Sequence, residues 1–177
     1  EVLDRDFFVS REDAELVANI LKNQKCIIRN DNLVDLYVNI PICPTRCIYC
    51  SFVSSELKEV ASKVDLYLDA LIKEINAVKD IIKDKAYIVR TIYIGGGTPT
   101  VLTASQLDRL LNELNFPVSE FTVECGRADT ITEEKLDILK KHKVSRISIN
   151  PQTFCKVTLK RIGRKQENSE VISANSK

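Results

Sequence analysis

Three cysteines crowded into Cys43-Pro44-Thr45-Arg46-Cys47-Ile48-Tyr49-Cys50 constrain this chain more than any other feature. Six cysteines in all could pair as three disulfides. However, a chain of 177 residues is long enough to bury a real core without them. Crowding of this kind points to metal or redox chemistry instead. The spacing C-x3-C-x2-C lets each thiolate take one iron of a cubane cluster, and cysteine is the standard donor because it is soft and easily deprotonated by the metal. Three ligands leave one iron open, and an open coordination position lets a metal centre bind substrate. Zinc is the alternative. Structural zinc sites favour paired C-x2-C knuckles with four ligands. The single histidine, His142, lies far away in sequence, whereas Cys125 could supply a fourth thiolate, so both metals stay open on spacing alone.

Composition narrows the remaining classes. Basic and acidic side chains number 26 and 25, a net charge of +1, so no basic excess points to nucleic acid. No apolar run approaches the roughly 20 residues that span a bilayer. The charged start, Glu1-Val2-Leu3-Asp4-Arg5-Asp6, lacks the apolar stretch of a secretory signal, so a cytoplasmic location is expected. The absence of any methionine leads us to expect a chain that does not begin at its natural start, or whose start was removed.

Hydrophobic periodicity alternates between strand and helix. Ser10 can cap an opening helix whose stripe is Ala14, Val17 and Leu21. Strands are predicted over 35–40, 91–94, 121–125 and 146–150. The first is ended by Pro41 and the last by Pro151. A helix over roughly 61–83 has its stripe at Val64, Leu68, Leu71, Ile75, Val78 and Ile82. A second helix opens with the capping-box pair Thr103 and Gln106 and buries Leu107, Leu110, Leu111 and Leu114. A third opens at Thr132 and closes on Lys140, Lys141, His142 and Lys143, cations suited to its negative end. This β-α-β-α-β-α-β order predicts an α/β fold with a parallel sheet of about four β/α units and right-handed crossovers. The expected organisation is an N-terminal helical segment over 1–30, a core over 31–163, and a polar tail over 164–177 that frays.

Each conspicuous motif falls at or beyond a predicted strand end: residues 43–50, Gly95-Gly96-Gly97-Thr98, Glu124, and Gln152. Parallel β/α folds carry their reactive face at that end of the strands. The glycines allow close backbone approach to a ligand or, more plainly, a tight turn. The glycines are not expected to cradle a phosphate, since G-K-[ST] is absent. Glu124 shares strand parity with Thr122, and an acid in an apolar strand needs a partner, either a ligand or a neighbouring cation. His142 is expected to be a solvated helix-end residue, and Cys26 and Cys155 ordinary free thiols.

The cysteine spacing, with Tyr49 before the last cysteine, resembles the radical S-adenosylmethionine (SAM) superfamily. Tyr37-Val38-Asn39-Ile40-Pro41-Ile42-Cys43, Gly95-Gly96-Gly97-Thr98-Pro99-Thr100 and Ile147-Ser148-Ile149-Asn150-Pro151-Gln152-Thr153 resemble the oxygen-independent coproporphyrinogen III oxidases. Cys47-Ile48-Tyr49-Cys50-Ser51-Phe52 and Val123-Glu124-Cys125-Gly126-Arg127-Ala128-Asp129-Thr130-Ile131 are most similar to their HemZ branch, the coproporphyrinogen dehydrogenases. The resemblance spans roughly residues 34 to 164.

It implies part of a (β/α) radical SAM barrel, with a [4Fe-4S] cluster on Cys43, Cys47 and Cys50 and SAM on its open iron. It also implies SAM contacts at Tyr37, Gly96, Gly97, Thr98, Glu124, Gln152 and Arg164. The implied activity is reductive cleavage of SAM to a 5′-deoxyadenosyl radical, leading to oxidative decarboxylation of coproporphyrinogen III to protoporphyrinogen IX in heme biosynthesis. An electron donor protein is the implied partner. Heme-trafficking relatives share the cysteine loop and glycine motif, which makes heme transfer the rival function, and an inactive fragment is the third reading. The chain departs from the family at two places: Phe52 replaces a further cysteine of the decarboxylases, and Lys165-Gln166 replaces a basic residue followed by histidine.

Overall fold

Helix starts and strand faces both follow from local chemistry. The structure, a computed structural model, describes residues 9–24, 31–52, 55–164 and 166–175. The chain divides into two units, Glu1–Leu33 and Val34–Lys177. In the first, α1 (Arg11–Gln24) begins where Ser10 Oγ accepts from the Asp13 N–H at 3.1 Å. No α1 residue is buried, and Leu16, Val17, Ile20 and Leu21 are all exposed. Cys26 and Lys165 lie outside the described residues.

From the unit boundary onward the elements are β1 (Leu33–Ile40), β2 (Ile42–Cys43), β3 (Ser55–Glu56), α2 (Leu57–Val60) and α3 (Val64–Asp84). They continue with β4 (Ile88–Gly96), α4 (Ala104–Glu113), β5 (Glu120–Glu124) and α5 (Glu133–Lys141). The last are β6 (Arg146–Ser148), α6 (Lys156–Arg161) and α7 (Asn168–Asn175). A four-stranded parallel sheet has the order β1-β4-β5-β6, and β2 and β3 form a separate parallel pair.

Period-two alternation gives the sheet two chemically distinct faces. Val38, Ile40, Ile92, Ile94, Phe121 and Val123 are buried in the core. Against that core pack Val64, Leu68, Leu71 and Ile75 of α3 and Leu107, Leu110 and Leu111 of α4. Burying each such leucine contributes about 2 kcal/mol of transfer free energy. The other face carries Tyr37, Tyr93, Thr122 and Glu124. Asp35 ties β1 to β4: Arg90 Nε donates to it at 3.0 Å and Thr91 Oγ1 at 2.8 Å. The bond from Arg90 holds its carboxyl below the ordinary range.

The predicted caps form. Thr103 Oγ1 accepts from the Gln106 N–H and Gln106 Oε1 from the Thr103 N–H, closing the capping box of α4. Thr132 Oγ1 accepts from the Lys135 N–H at the start of α5. Boundaries shift modestly: β4 starts earlier than predicted and β6 stops at Ser148.

The tail from Arg164 differs from the expectation of fraying. Arg164 and Gln166 are buried, and residues 168–175 form α7. Val171 and Ala174, three residues apart on one face, join the core, and α7 contacts the turn Ala128–Thr130. Two well-placed apolar residues suffice to dock a short helix that is poor in them overall. No helix among the described residues is long and apolar enough to cross a membrane.

Candidate functional site

A cavity of about 350 Å³ opens at the carboxyl ends of the sheet strands. All ten residues singled out from the sequence line it: Tyr37, Cys43, Cys47, Cys50, Gly96, Gly97, Thr98, Glu124, Gln152 and Arg164. Thr45, Tyr49, Phe52, Tyr93, Gly126, Arg127 and Asn150 complete the wall. Its volume lies within the range of small-molecule sites.

The cysteine loop starts in β2 and is held by its backbone and by Thr45. The Cys50 N–H donates to Cys47 O at 3.0 Å, the Ile48 N–H to Ile162 O at 3.2 Å, and the Arg46 N–H to Glu56 Oε1 at 3.1 Å. Thr45 Oγ1 donates to Gly163 O at 3.2 Å. Cys43, Cys47 and Cys50 are free thiols, each half-buried. Thr98 Oγ1, itself fully buried, lies 3.5 Å from Cys43 Sγ.

The glycine loop owes its composition to the chain itself. Gly96 has φ +105°, and a Cβ there would stand 2.0 Å from Asn39 Oδ1. A Cβ on Gly97 would meet Ile42 O at 2.6 Å. The N–H groups of Gly97 and Thr98 donate to Ile40 O and Ile42 O, both at 2.9 Å. The close approach read from sequence is therefore between the glycine loop and residues 39–42, and these two amides are already engaged.

Strand register explains Glu124. Tyr93 stands opposite Thr122 in the β4–β5 ladder, so Glu124 is its diagonal neighbour on the same face. Tyr93 Oη donates to Glu124 Oε1 at 2.5 Å. Tyr37 stacks on Tyr93 with ring centroids 5.9 Å apart and planes 15° apart. The partner of the acid is thus a tyrosine. The bond to Glu124, with burial second, pushes the Tyr93 phenol up to about 12. A phenol raised in the folded state stabilises it below the ordinary value near 10, and that contribution is lost as pH climbs towards 12. We expect the wild type to lose stability more steeply than Tyr93→Phe between pH 10 and 12. Urea denaturation across that window checks the difference, and parallel curves would contradict it.

Arg164 is 8% exposed. Its Nη1 donates to Gly126 O at 3.1 Å, Asn150 O at 2.6 Å and Gln166 Oε1 at 3.2 Å. Its Nε is buried with no hydrogen-bond partner. An orphaned charged donor is costly unless something meets it. Gln152 lines the cavity from a left-handed backbone conformation, φ 64°, which non-glycine residues occupy sparingly and often at functional sites.

The residues proposed for a zinc site do not assemble. Cys125, the residue after β5, is fully buried, and burial pushes its thiol up to about 12. His142 is not a solvated helix end: it is partly buried, with Nε2 2.6 Å from Asp108 Oδ1, in a pair that bridges α5 to α4. Among the described residues no three His, Cys, Asp or Glu side chains are gathered tightly enough to hold one metal ion. A cubane asks for a different set, one thiolate on each of three irons. Three free thiols around one cavity, with a hydroxyl beside Cys43 Sγ, fit that group.

Sequence reasoning missed Tyr93, Thr45 and Arg127 as site residues. Arg127 is almost wholly buried and contacts Thr45 across 82 positions of sequence.

Known proteins resemble this chain in sequence and in fold. Over 180 aligned residues, 96% of this chain and 36% of its relative, the sequence is 40% identical to the "oxygen-independent coproporphyrinogen-III oxidase-like protein HemZ" of Bacillus subtilis. It is 40% identical to the heme chaperone HemW of Lactococcus lactis, over 78% of this chain and 35% of that protein. Among solved structures, coproporphyrinogen III oxidase (HemN) from Escherichia coli superposes with a TM-score of 0.70 at 30% identity, covering 81% of this chain and 33% of that one. The chain therefore spans about a third of the length of these relatives. The radical SAM superfamily pattern matches residues 37–176, from the tyrosine of β1 through α7, and the chain belongs to that superfamily.

Proposed function

We propose that this chain carries the cluster and SAM site of a radical SAM oxidoreductase that acts on coproporphyrinogen III in heme biosynthesis, giving protoporphyrinogen IX in the cytoplasm. Cys43, Cys47 and Cys50 would hold a [4Fe-4S] cluster. Tyr37, Gly96, Gly97, Thr98, Glu124, Gln152 and Arg164 would hold SAM beside it. When bound, cluster and SAM supply a 5′-deoxyadenosyl radical, using one electron from a donor protein, for hydrogen abstraction from a substrate propionate. The chain's own residues bind and orient. Glu124, fixed in direction by Tyr93, places a carboxylate side chain in the cavity wall, and the guanidinium of Arg164 belongs to the same wall. The Tyr37–Tyr93 stack supplies a flat aromatic wall.

The observation that carries this reading is the convergence of three free thiols, Glu124 and Arg164 on one cavity. The HemZ-like match supports the dehydrogenase assignment because it extends over 96% of the chain, against 78% for HemW. The heme-chaperone reading draws support from HemW relatives at 38% to 40% identity. Phe52 also bears on the choice. It is exposed at the cavity, where the decarboxylases this chain resembles carry a cysteine.

The deciding experiment incubates the full-length reduced protein with SAM and coproporphyrinogen III under anaerobic conditions. Release of carbon dioxide with protoporphyrinogen IX supports the proposal. Stoichiometric binding of heme supplied in a parallel sample, without carbon dioxide release in the first, replaces it with the chaperone reading. Within the site, Glu124→Gln keeps the shape and the acceptor for Tyr93 but removes the charge. It is expected to weaken SAM binding about tenfold to a hundredfold, the scale of a charge-assisted hydrogen bond, with iron uptake unchanged. Equilibrium dialysis with SAM measures this, and unaltered affinity would remove Glu124 from the SAM site.

A further inference from the structure

The motif Gly126-Arg127-Ala128-Asp129-Thr130 follows β5 and is not accounted for by SAM binding. The Arg127 side chain is 3% exposed, and its donors are divided between two partners. Nε donates to Asp129 Oδ1 at 3.1 Å and Nη2 to Asp129 Oδ2 at 3.0 Å, a bidentate fork. Nη1 points away from that fork to the cysteine loop, 3.0 Å from Thr45 Oγ1 and 3.4 Å from Thr45 O. Thr45 sits between Cys43 and Cys47, and its hydroxyl passes a hydrogen bond on to Gly163 O at 3.2 Å. The same turn is braced from behind. Thr130 Oγ1 donates to Arg127 O at 2.7 Å and lies 2.6 Å from Thr100 Oγ1.

Burying the Arg127 guanidinium against an Asp129 carboxylate that stays 27% exposed is a poor device for stability alone, since apolar side chains of similar volume often serve as well or better. What an apolar pair cannot do is direct a third hydrogen bond to a fixed point. Asp129 locks two arms of a planar guanidinium, and planarity then sets the direction of the remaining arm. Lysine, with one rotatable ammonium, cannot reproduce that.

Resting on the cluster assignment above, we propose that Arg127, oriented by Asp129, is a positioning residue that clamps the cysteine loop through Thr45 and tunes the cluster held there. The clamp acts in two ways. It restricts the loop so that three sulfurs keep one mutual arrangement, which lowers the rate at which iron leaves. It also fixes a guanidinium donor, its charge met by Asp129, against the loop that would carry the cluster. Hydrogen bonding and charge around a cluster are established levers on its potential.

The test uses the full-length protein, reconstituted anaerobically with iron and sulfide, in three forms: wild type, Thr45→Ser and Thr45→Val. Thr45→Ser keeps the hydroxyl that joins Arg127 to the loop, whereas Thr45→Val removes it without stranding a charge. Thr45→Val is expected to keep the wild-type circular dichroism, with a melting temperature lowered by the lost bonds to Arg127 and Gly163 O. It should release iron to a chelator about tenfold to a hundredfold faster, the usual scale for removing a residue that orients a metal ligand. Its reduced cluster should give a broadened paramagnetic resonance signal. Thr45→Ser should match the wild type in both readouts. As a second arm, Arg127→Lys should shift the signal and speed iron release even though the charge is conserved. Wild-type behaviour in both Thr45→Val and Arg127→Lys overturns the clamp. If the wild type itself takes up no cluster, the cluster assignment fails instead, so the two failures are distinguishable.

Discussion

Replacing Cys47 with serine is expected to reduce bound iron from about four per chain to near none, and to abolish SAM cleavage with it. A serine hydroxyl does not become an anion at neutral pH, so one iron loses its anchor, and a three-ligand site has no spare donor. The same outcome is expected for Cys43→Ser and Cys50→Ser. The fold should survive. The contacts that hold the loop, Ile48 N–H to Ile162 O, Arg46 N–H to Glu56 and Thr45 to Gly163 O, do not involve a sulfur. Circular dichroism should therefore match the wild type while iron analysis differs. Cys155→Ser is the control, because Cys155 is exposed and does not line the cavity. A Cys47→Ser protein that still carried a full cluster would remove Cys47 from the ligand set.

Gly97→Ala is expected to destabilise the chain by about 3 kcal/mol, near the upper end for overpacking. For a protein of this size that is a fall in melting temperature of roughly 6 to 12 °C. The added methyl would lie 2.6 Å from Ile42 O and 2.9 Å from Ile42 C and N. These are backbone atoms fixed by the Gly97 and Thr98 amides, so nothing can swing aside. Relief requires separating the glycine loop from β2, which would also shift Cys43. Iron uptake should fall alongside stability. Gly126→Ala provides the contrast. Its nearest neighbour would be Asn150 Nδ2 at 3.4 Å, an ordinary contact, so a change below about 1 kcal/mol is expected. Chemical denaturation of the two variants side by side decides it, and equal effects would contradict the steric argument.

The elements that position the site were legible because each repeats a pattern locally. Leu107, Leu110 and Leu111 mark the buried stripe of α4, and Thr103 with Gln106 marks its start within four residues. The four strands could be placed for the same reason, with carboxyl ends within two residues, and all ten site candidates share one cavity. What could not be read depends on pairing between distant segments. The role of Tyr93 follows only from the register that sets it opposite Thr122 and diagonal to Glu124. Arg127 and Thr45 meet across 82 positions, and neither carries a local signal of that contact. The environment of His142 was missed because Asp108 belongs to another helix. The tail was read as frayed because its composition is polar. Its docking rests on just Val171 and Ala174 meeting the turn after β5, together with a buried Arg164 whose carbonyl partners come from two other loops. The glycine loop was located correctly, but its cause lies in the chain's own approach to Asn39 and Ile42.

Cys43, Cys47 and Cys50 would share one cluster, with SAM held beside it by Glu124 and Arg164. Electron paramagnetic resonance of the full-length, anaerobically reconstituted and reduced protein, recorded with and without SAM, tests it most directly. About four irons per chain are expected, with a [4Fe-4S] signal whose g-values move when SAM is added. A single tightly held zinc, or a cluster signal indifferent to SAM, would contradict it.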